Sequence, residues 1–218
     1  MMKKQALLLA GGLCVAAAAA VALLPGQSLR TADHLDPPGR TSPDADSTPD
    51  RAADIADILA WAEGGNLNVI VTFAGPADPD APATYDRDVL YKVNISTDGN
   101  PLNTENVVRV RFGQDGPNEF GVQATGVPGA NTLSGPVNTD LTRNGATLRA
   151  GLFDDPFFFD LQGFMETLQT GDLSIRNDRD FFAGQNDTAF VLQIPLDTLN
   201  ATGKITVWSE TLRFGGNI

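Results

Sequence analysis

Gly64-Gly65-Asn66-Leu67-Asn68-Val69-Ile70-Val71-Thr72-Phe73 is the stretch on which the reading of this chain turns. Two glycines and an asparagine make a turn cluster, after which Leu67, Val69, Val71 and Phe73 point one way while Asn68 and Thr72 point the other. Upstream, Ile55, Ile58, Leu59 and Ala62 would also fit a helical stripe, but a turn followed by period-two alternation favours a β-hairpin over Asp54–Phe73. The same period returns downstream. Val89, Tyr91, Val93 and Ile95 alternate with Lys92, Asn94 and Ser96, and Val108, Val110 and Phe112 alternate with Arg109 and Arg111. The Asp98-Gly99 pair between them tolerates the positive φ angles of a turn, so the two runs predict an antiparallel hairpin with its polar faces in water.

Residues 113–145, rich in Gly, Asn and Pro, predict long surface loops with a weak strand near Phe120–Thr125. Thr147–Leu152 predicts a short strand. The nearly continuous apolar run Ala189–Ile194, and Ile205–Leu212 with Val207 and Trp208, read as central strands. One helix is expected: Leu161, Phe164, Met165 and Leu168 fall at helical spacing, with Asp160 as N-cap and Gly171 just past the end. The Phe157-Phe158-Phe159 run before it is expected in the core. Short strands, Gly and Pro between them, and a single helix predict an all-β fold, a β-sandwich or jelly-roll of antiparallel sheets with long loops.

Lys3 and Lys4 precede a stretch from Ala6 to Leu24 that carries no charged side chain and ends at Pro25-Gly26, the layout of a secretory signal peptide. Residues 1–32 are read as this leader, with cleavage expected between Ala22, after Ala-Val-Ala, and the Thr31-Ala32 junction, where Arg30 sits awkwardly. An uncleaved anchor is the competing reading. Residues 33–52, rich in Pro, Asp, Ser and Thr, form an extended arm, and 53–218 a single sandwich domain. The one cysteine, Cys14, follows Leu13 inside the leader, so a lipid anchor is not expected and the mature chain must fold without a disulfide. The protein is expected to be periplasmic or extracellular, with no membrane span once the leader is removed. A net charge of −12 repels phosphate backbones and anionic lipid, which excludes nucleic acid as the expected partner and favours multivalent cations.

Several blocks, in order and together, carry a family resemblance: Ala32-Asp33-His34-Leu35-Asp36-Pro37-Pro38, Ala53-Asp54-Ile55-Ala56-Asp57-Ile58 through Trp61, Asp88-Val89-Leu90-Tyr91, Asp154-Asp155-Pro156-Phe157-Phe158-Phe159-Asp160, Phe182-Ala183-Gly184-Gln185-Asn186 and Val207-Trp208-Ser209-Glu210-Thr211. The chain resembles the secreted bacterial family called domain of unknown function 4331. The resemblance spans nearly the whole mature chain and implies an exported β-rich domain, with no established activity, substrate or cofactor to carry over. Here His34 is followed by Leu where many similar proteins have Arg, and the chain stops soon after the Trp208 block.

The chemistry on offer is that of oxygen ligands. Asp36, Asp54, Asp57, Asp154, Asp155 and Asp160 are the candidate ligands for a hard cation such as Ca²⁺, which takes six to eight oxygens. Their ordinary alternative is to cap turns and the helix. No segment has the twelve-residue calcium loop. His34, the only histidine, would chelate copper only beside a terminus cut immediately before it, and a single His excludes the usual zinc sites. No Gly-x-Ser-x-Gly elbow is present, and a mature chain without Cys has no thiol chemistry. Paired acids for a carboxylate-dependent hydrolase stay open among Glu63, Glu105, Glu119, Glu166 and Glu210. Trp61, Tyr85, Tyr91 and Trp208 are candidates for a carbohydrate platform, weighed against packing in the core. The expected function is a non-catalytic binding or structural module of the cell exterior, with a carbohydrate or another cell-surface ligand as partner; the alternative is the hydrolase.

Overall fold

The computed structural model describes residues 29–32, by their backbone, and 50–214. Within them the chain lays down β1 (Leu29–Ala32), β2 (Ile55–Glu63) and β3 (Asn66–Ala77), crosses over for β4 (Val89–Ser96), β5 (Asn106–Gln114), β6 (Phe120–Val127) and β7 (Asn131–Pro136), and returns for β8 (Leu141–Arg143) and β9 (Ala146–Asp154). A single helix, α1 (Leu161–Thr170), precedes β10 (Asn186–Pro195), and β11 (Thr206–Arg213) comes last. All pairings are antiparallel. The first sheet runs β1-β2-β3-β10-β9-β8 and the second β11-β4-β5-β6-β7, which is the expected sandwich architecture. Gly64 and Gly65, at φ +59° and +81°, supply the two positive φ angles that let β2 turn straight into β3. No described helix is long and apolar enough to cross a membrane.

The alternating residues named above meet between the sheets. Leu67, Val69, Val71 and Phe73 of β3 and Phe190, Leu192 and Ile194 of β10 are fully buried against Tyr91, Val93 and Ile95 of β4 and Val108 and Val110 of β5. Phe73 is the hub, its ring 4.4 Å from Tyr91, 5.7 Å from Phe112 and 6.4 Å from Phe190. A 3-10 turn at Arg51–Ala53 closes one end: the Tyr91 hydroxyl donates to the Ala52 carbonyl, and Thr211 Oγ1 donates to the Ala53 carbonyl at 2.7 Å. Arg213 of β11 pairs with Asp50 and reaches Asp86 at 2.8 Å, and these two hydrogen-bonded carboxylates hold its guanidinium well above its usual pKa.

Several expectations need correction. Residues 113–145 hold three strands, β6, β7 and β8, rather than long loops with one weak strand. Their Gly, Thr and Asn content reflects one face left in water, as on β6, where Val122 and Ala124 are buried and Gln123 is exposed. β11 is an edge strand, paired with β4 alone. Phe158 is 50 % exposed and Phe157 and Phe159 only partly buried, because the segment between β9 and β10 forms its own small cluster, Phe157 stacking on Phe159 and touching Phe182, outside the main core. The helix has the expected caps, Asp160 accepting from the Gly163 N–H at 2.8 Å and Gly171 in the left-handed region, yet Phe164, Met165 and Leu168 are exposed. Trp61 and Trp208 are half-buried at the sheet surfaces rather than in the core, whereas Tyr91 is fully buried.

Leu29–Ala32, inside the range from 22 to 32 left open for cleavage, pairs with β2 in the register Leu29 with Ala60 through Ala32 with Asp57. Asp50 and Ala52, assigned to the extended arm, are buried at the closed end of the domain. Residues 33–49 of the arm, including His34 and Asp36, lie outside the described residues.

Candidate metal centre

β2 and β10 both lose ladder register near the end of the first sheet. On β2 the pairing with β3 shifts between Ile55 and Ile58, and on β10 it shifts between Asn186 and Thr188. Such irregularities re-aim side chains that a regular strand would hold in strict alternation. Asp57 sits in the first and Asp187 in the second. The Asp57 N–H donates to Thr72 Oγ1 at 2.9 Å, so a side chain takes the place of a ladder carbonyl. Opposite Asp187, β3 bends through Ala74, which has a φ of +58°, into Gly75. Arg51 holds that bend, donating to the carbonyls of Ala74 and Pro76 at 3.0 and 3.1 Å.

The third acid enters from β9. Asp155 directly follows that strand, where its N–H donates to the Gln185 carbonyl and its carboxylate accepts from the Phe157 N–H, both at 2.9 Å. The first of these bonds closes the neck of the 155–185 excursion beside Asp187, and the second turns the chain into it. Asp57, Asp155 and Asp187, with residue exposures of 2, 8 and 0 %, each offer a carboxylate oxygen within 4.8 Å of the others. The backbone itself makes room for this. A Cβ at residue 75 would overlap the Asp187 carboxylate, so only glycine fits there.

Two of the six candidate ligands, Asp57 and Asp155, therefore come together, joined by Asp187, which the sequence reading missed. Asp187 carried one available signal: it opens the apolar run Asp187-Thr188-Ala189-Phe190-Val191-Leu192, and a carboxylate inside a buried strand demands a compensating group. Asp54 is buried where the 3-10 turn meets β2, its carbonyl accepting from the Ala74 N–H at 3.0 Å. Asp154 is exposed. Asp160 has the capping role: burial pushes its carboxyl up, but the N–H groups of Gly163 and Arg176 and the Arg179 guanidinium outweigh that and hold it below the usual carboxylate range.

A hard cation fits the spacing of the three acids. Calcium binds oxygens at about 2.3–2.6 Å, so ligands on opposite sides of one ion stand roughly 5 Å apart and neighbouring ligands closer. Carboxylates this close in a poorly solvated site repel one another, and positive charge placed among them relieves that repulsion. No family model, curated protein or solved structure matches this chain.

Proposed function

We propose that the chain is an exported, non-catalytic binding or structural module of the cell exterior, and that Asp57, Asp155 and Asp187 take up a hard cation, calcium by preference. The observation that carries this reading is the convergence of three buried carboxylates, from β2, the end of β9 and β10, to within 4.8 Å. An ion at that point ties the excursion neck to two strands of the first sheet. Its role is structural, since a hydrolase needs its acids along a substrate cleft and these are at most 8 % exposed. The blocks shared with domain of unknown function 4331 include Asp57 and Asp155, and we extend the proposal to membership of that family.

A ligand bound only by the folded state stabilises it by mass action, by about 2.7 kcal/mol at a hundredfold excess over Kd. Adding millimolar calcium to chelator-treated protein is therefore expected to raise Tm by roughly 5–10 °C in a chain of this size. Asp187→Asn is expected to abolish the rise. Identical melting curves with calcium and with chelator would retire the cation.

Export has its own test. β1 shields the edge of β2, which carries Ile55, Ile58, Leu59 and Trp61, and an uncovered apolar edge invites aggregation. Of the two candidate cuts, only the one after Ala22 leaves Leu29–Ala32 in place. The intact mass of the exported protein is expected to correspond to a chain beginning at Leu23. A chain beginning at Ala32 would contradict the role of β1, and a full-length mass would contradict the leader.

A further inference from the structure

We infer that the outer face of the second sheet is a binding platform for a carboxylate-bearing carbohydrate, an inference that rests on the reading of the chain as a binding module. Register and exposure define the face. Arg111 of β5 stands beside Gln123 of β6, and Gln123 beside Ser134 of β7. One step along the same face, Glu210 of β11, Lys92 of β4, Arg109 of β5, Thr125 of β6 and Thr132 of β7 form a parallel row. Beyond the first row, Gly113 and Gly121 pair and place no side chain on the surface, which leaves a trough of about 780 Å³ bordered by Arg87, Arg111, Gln123 and Ser134. That volume lies within the range of small-ligand sites, roughly 300–1,000 Å³.

Charge on this face runs against the rest of the molecule. The chain carries 27 acidic and 15 basic side chains, yet Lys92, Arg109 and Arg111 stand together on this face and Arg87 borders the trough, with Glu210 in the row of Lys92 and Asp88 beside Arg87. Glu210 is committed to Lys92, and Asp88 stands 3.8 Å from Arg87. Among the described residues no carboxylate lies within ion-pair distance of Arg109 or Arg111, although acids outnumber bases almost two to one. Two residues apart on one strand, Arg109 and Arg111 leave the backbone about 7 Å from one another. Each presents a planar fork that matches a carboxylate.

The remaining side chains fit sugar hydroxyls and ring faces. Gln123, Thr125, Thr132 and Ser134 offer donors and acceptors in line, and the half-buried indole of Trp208, opposite Asn94 on the edge strand, offers a flat apolar surface at the corner of the face. A long polyanion would be turned away by the net charge of −12, but a short oligosaccharide with one carboxylate per ring meets only the local cationic field.

Isothermal titration of the full mature chain with a galacturonic acid trimer tests this, with maltotriose as the neutral control and chelator present so that calcium cannot bridge sugar to protein. The acidic trimer is expected to bind at least about tenfold more tightly than maltotriose, and Arg109→Gln/Arg111→Gln to lose at least about tenfold in affinity for it while melting like the parent. Both arginines are exposed, so the variant keeps the fold. A double variant that titrates like the parent, or a parent that binds neither trimer, overturns the platform. The calcium-dependent melting of the same protein is read separately, so loss of the platform and loss of the cation are distinguishable.

Discussion

Replacing Phe73 with alanine is expected to lower the unfolding free energy by about 3–5 kcal/mol, the range for truncating a large aromatic in a packed interior. The ring has no solvent exposure and contacts partners in both sheets, Phe190 in its own and Tyr91 and Phe112 in the other, so its removal opens a cavity at the point where the two layers are held together. Relaxation into that cavity is limited, because each partner is itself pinned by a strand. Urea denaturation monitored by circular dichroism measures the change. Phe158→Ala is the internal control: at 50 % exposure it is expected to cost no more than about 1 kcal/mol. Equal costs for the two substitutions would show that the core is not centred on Phe73.

The second large effect is expected at Gly75. An alanine methyl there would occupy the place of the Asp187 carboxylate, and neither side can yield freely: Asp187 belongs to the central strand β10, and the Ala74–Pro76 backbone is fixed by Arg51. Forcing one carbon into a packed site costs about 1–3 kcal/mol. The distinguishing readout is the response to calcium. Gly75→Ala is expected to lose most of the calcium-dependent rise in Tm, since the displaced Asp187 no longer meets Asp57 and Asp155. A variant that is destabilised but keeps the full calcium response would separate the packing at Gly75 from the cation.

Strand alternation carries most of the fold. β3, β4 and β5 are legible because each has one apolar face and one polar face, and the two periods of the chain are read without ambiguity there. β6 to β8 escape that reading for two reasons. Their buried residues are few, Val122, Ala124, Val127 and Leu133, and glycines interrupt the pattern. Apolar content alone misplaces β11, since Val207 faces the core while Trp208 and Leu212 lie on the open side of an edge strand. The helix shows the same limit: its caps are local chemistry and can be read off Asp160 and Gly171, but which face is covered depends on a partner that spacing cannot name.

The acidic cluster is half legible for a related reason. Asp57 and Asp155 stand among turn and strand-end signals and are easily singled out as ligands. Asp187 looks like the polar start of an apolar strand, and its meeting with the other two follows from where β10 inserts between β3 and β9. Register shifts at Asp57 and Asp187 are properties of pairing, absent from either strand taken alone.

Arg213 grips Asp50 across 163 residues of sequence, and the strand that carries it covers the flank of β4. While the segment that carries Arg213 is unpaired, the molecule lacks both the clasp on Asp50 and the cover on β4, so its closed end depends on a contact between residues far apart in the chain. Closure over so long a loop is slow. The closed end is therefore expected to order late, after the local hairpins β2–β3 and β4–β5 have formed.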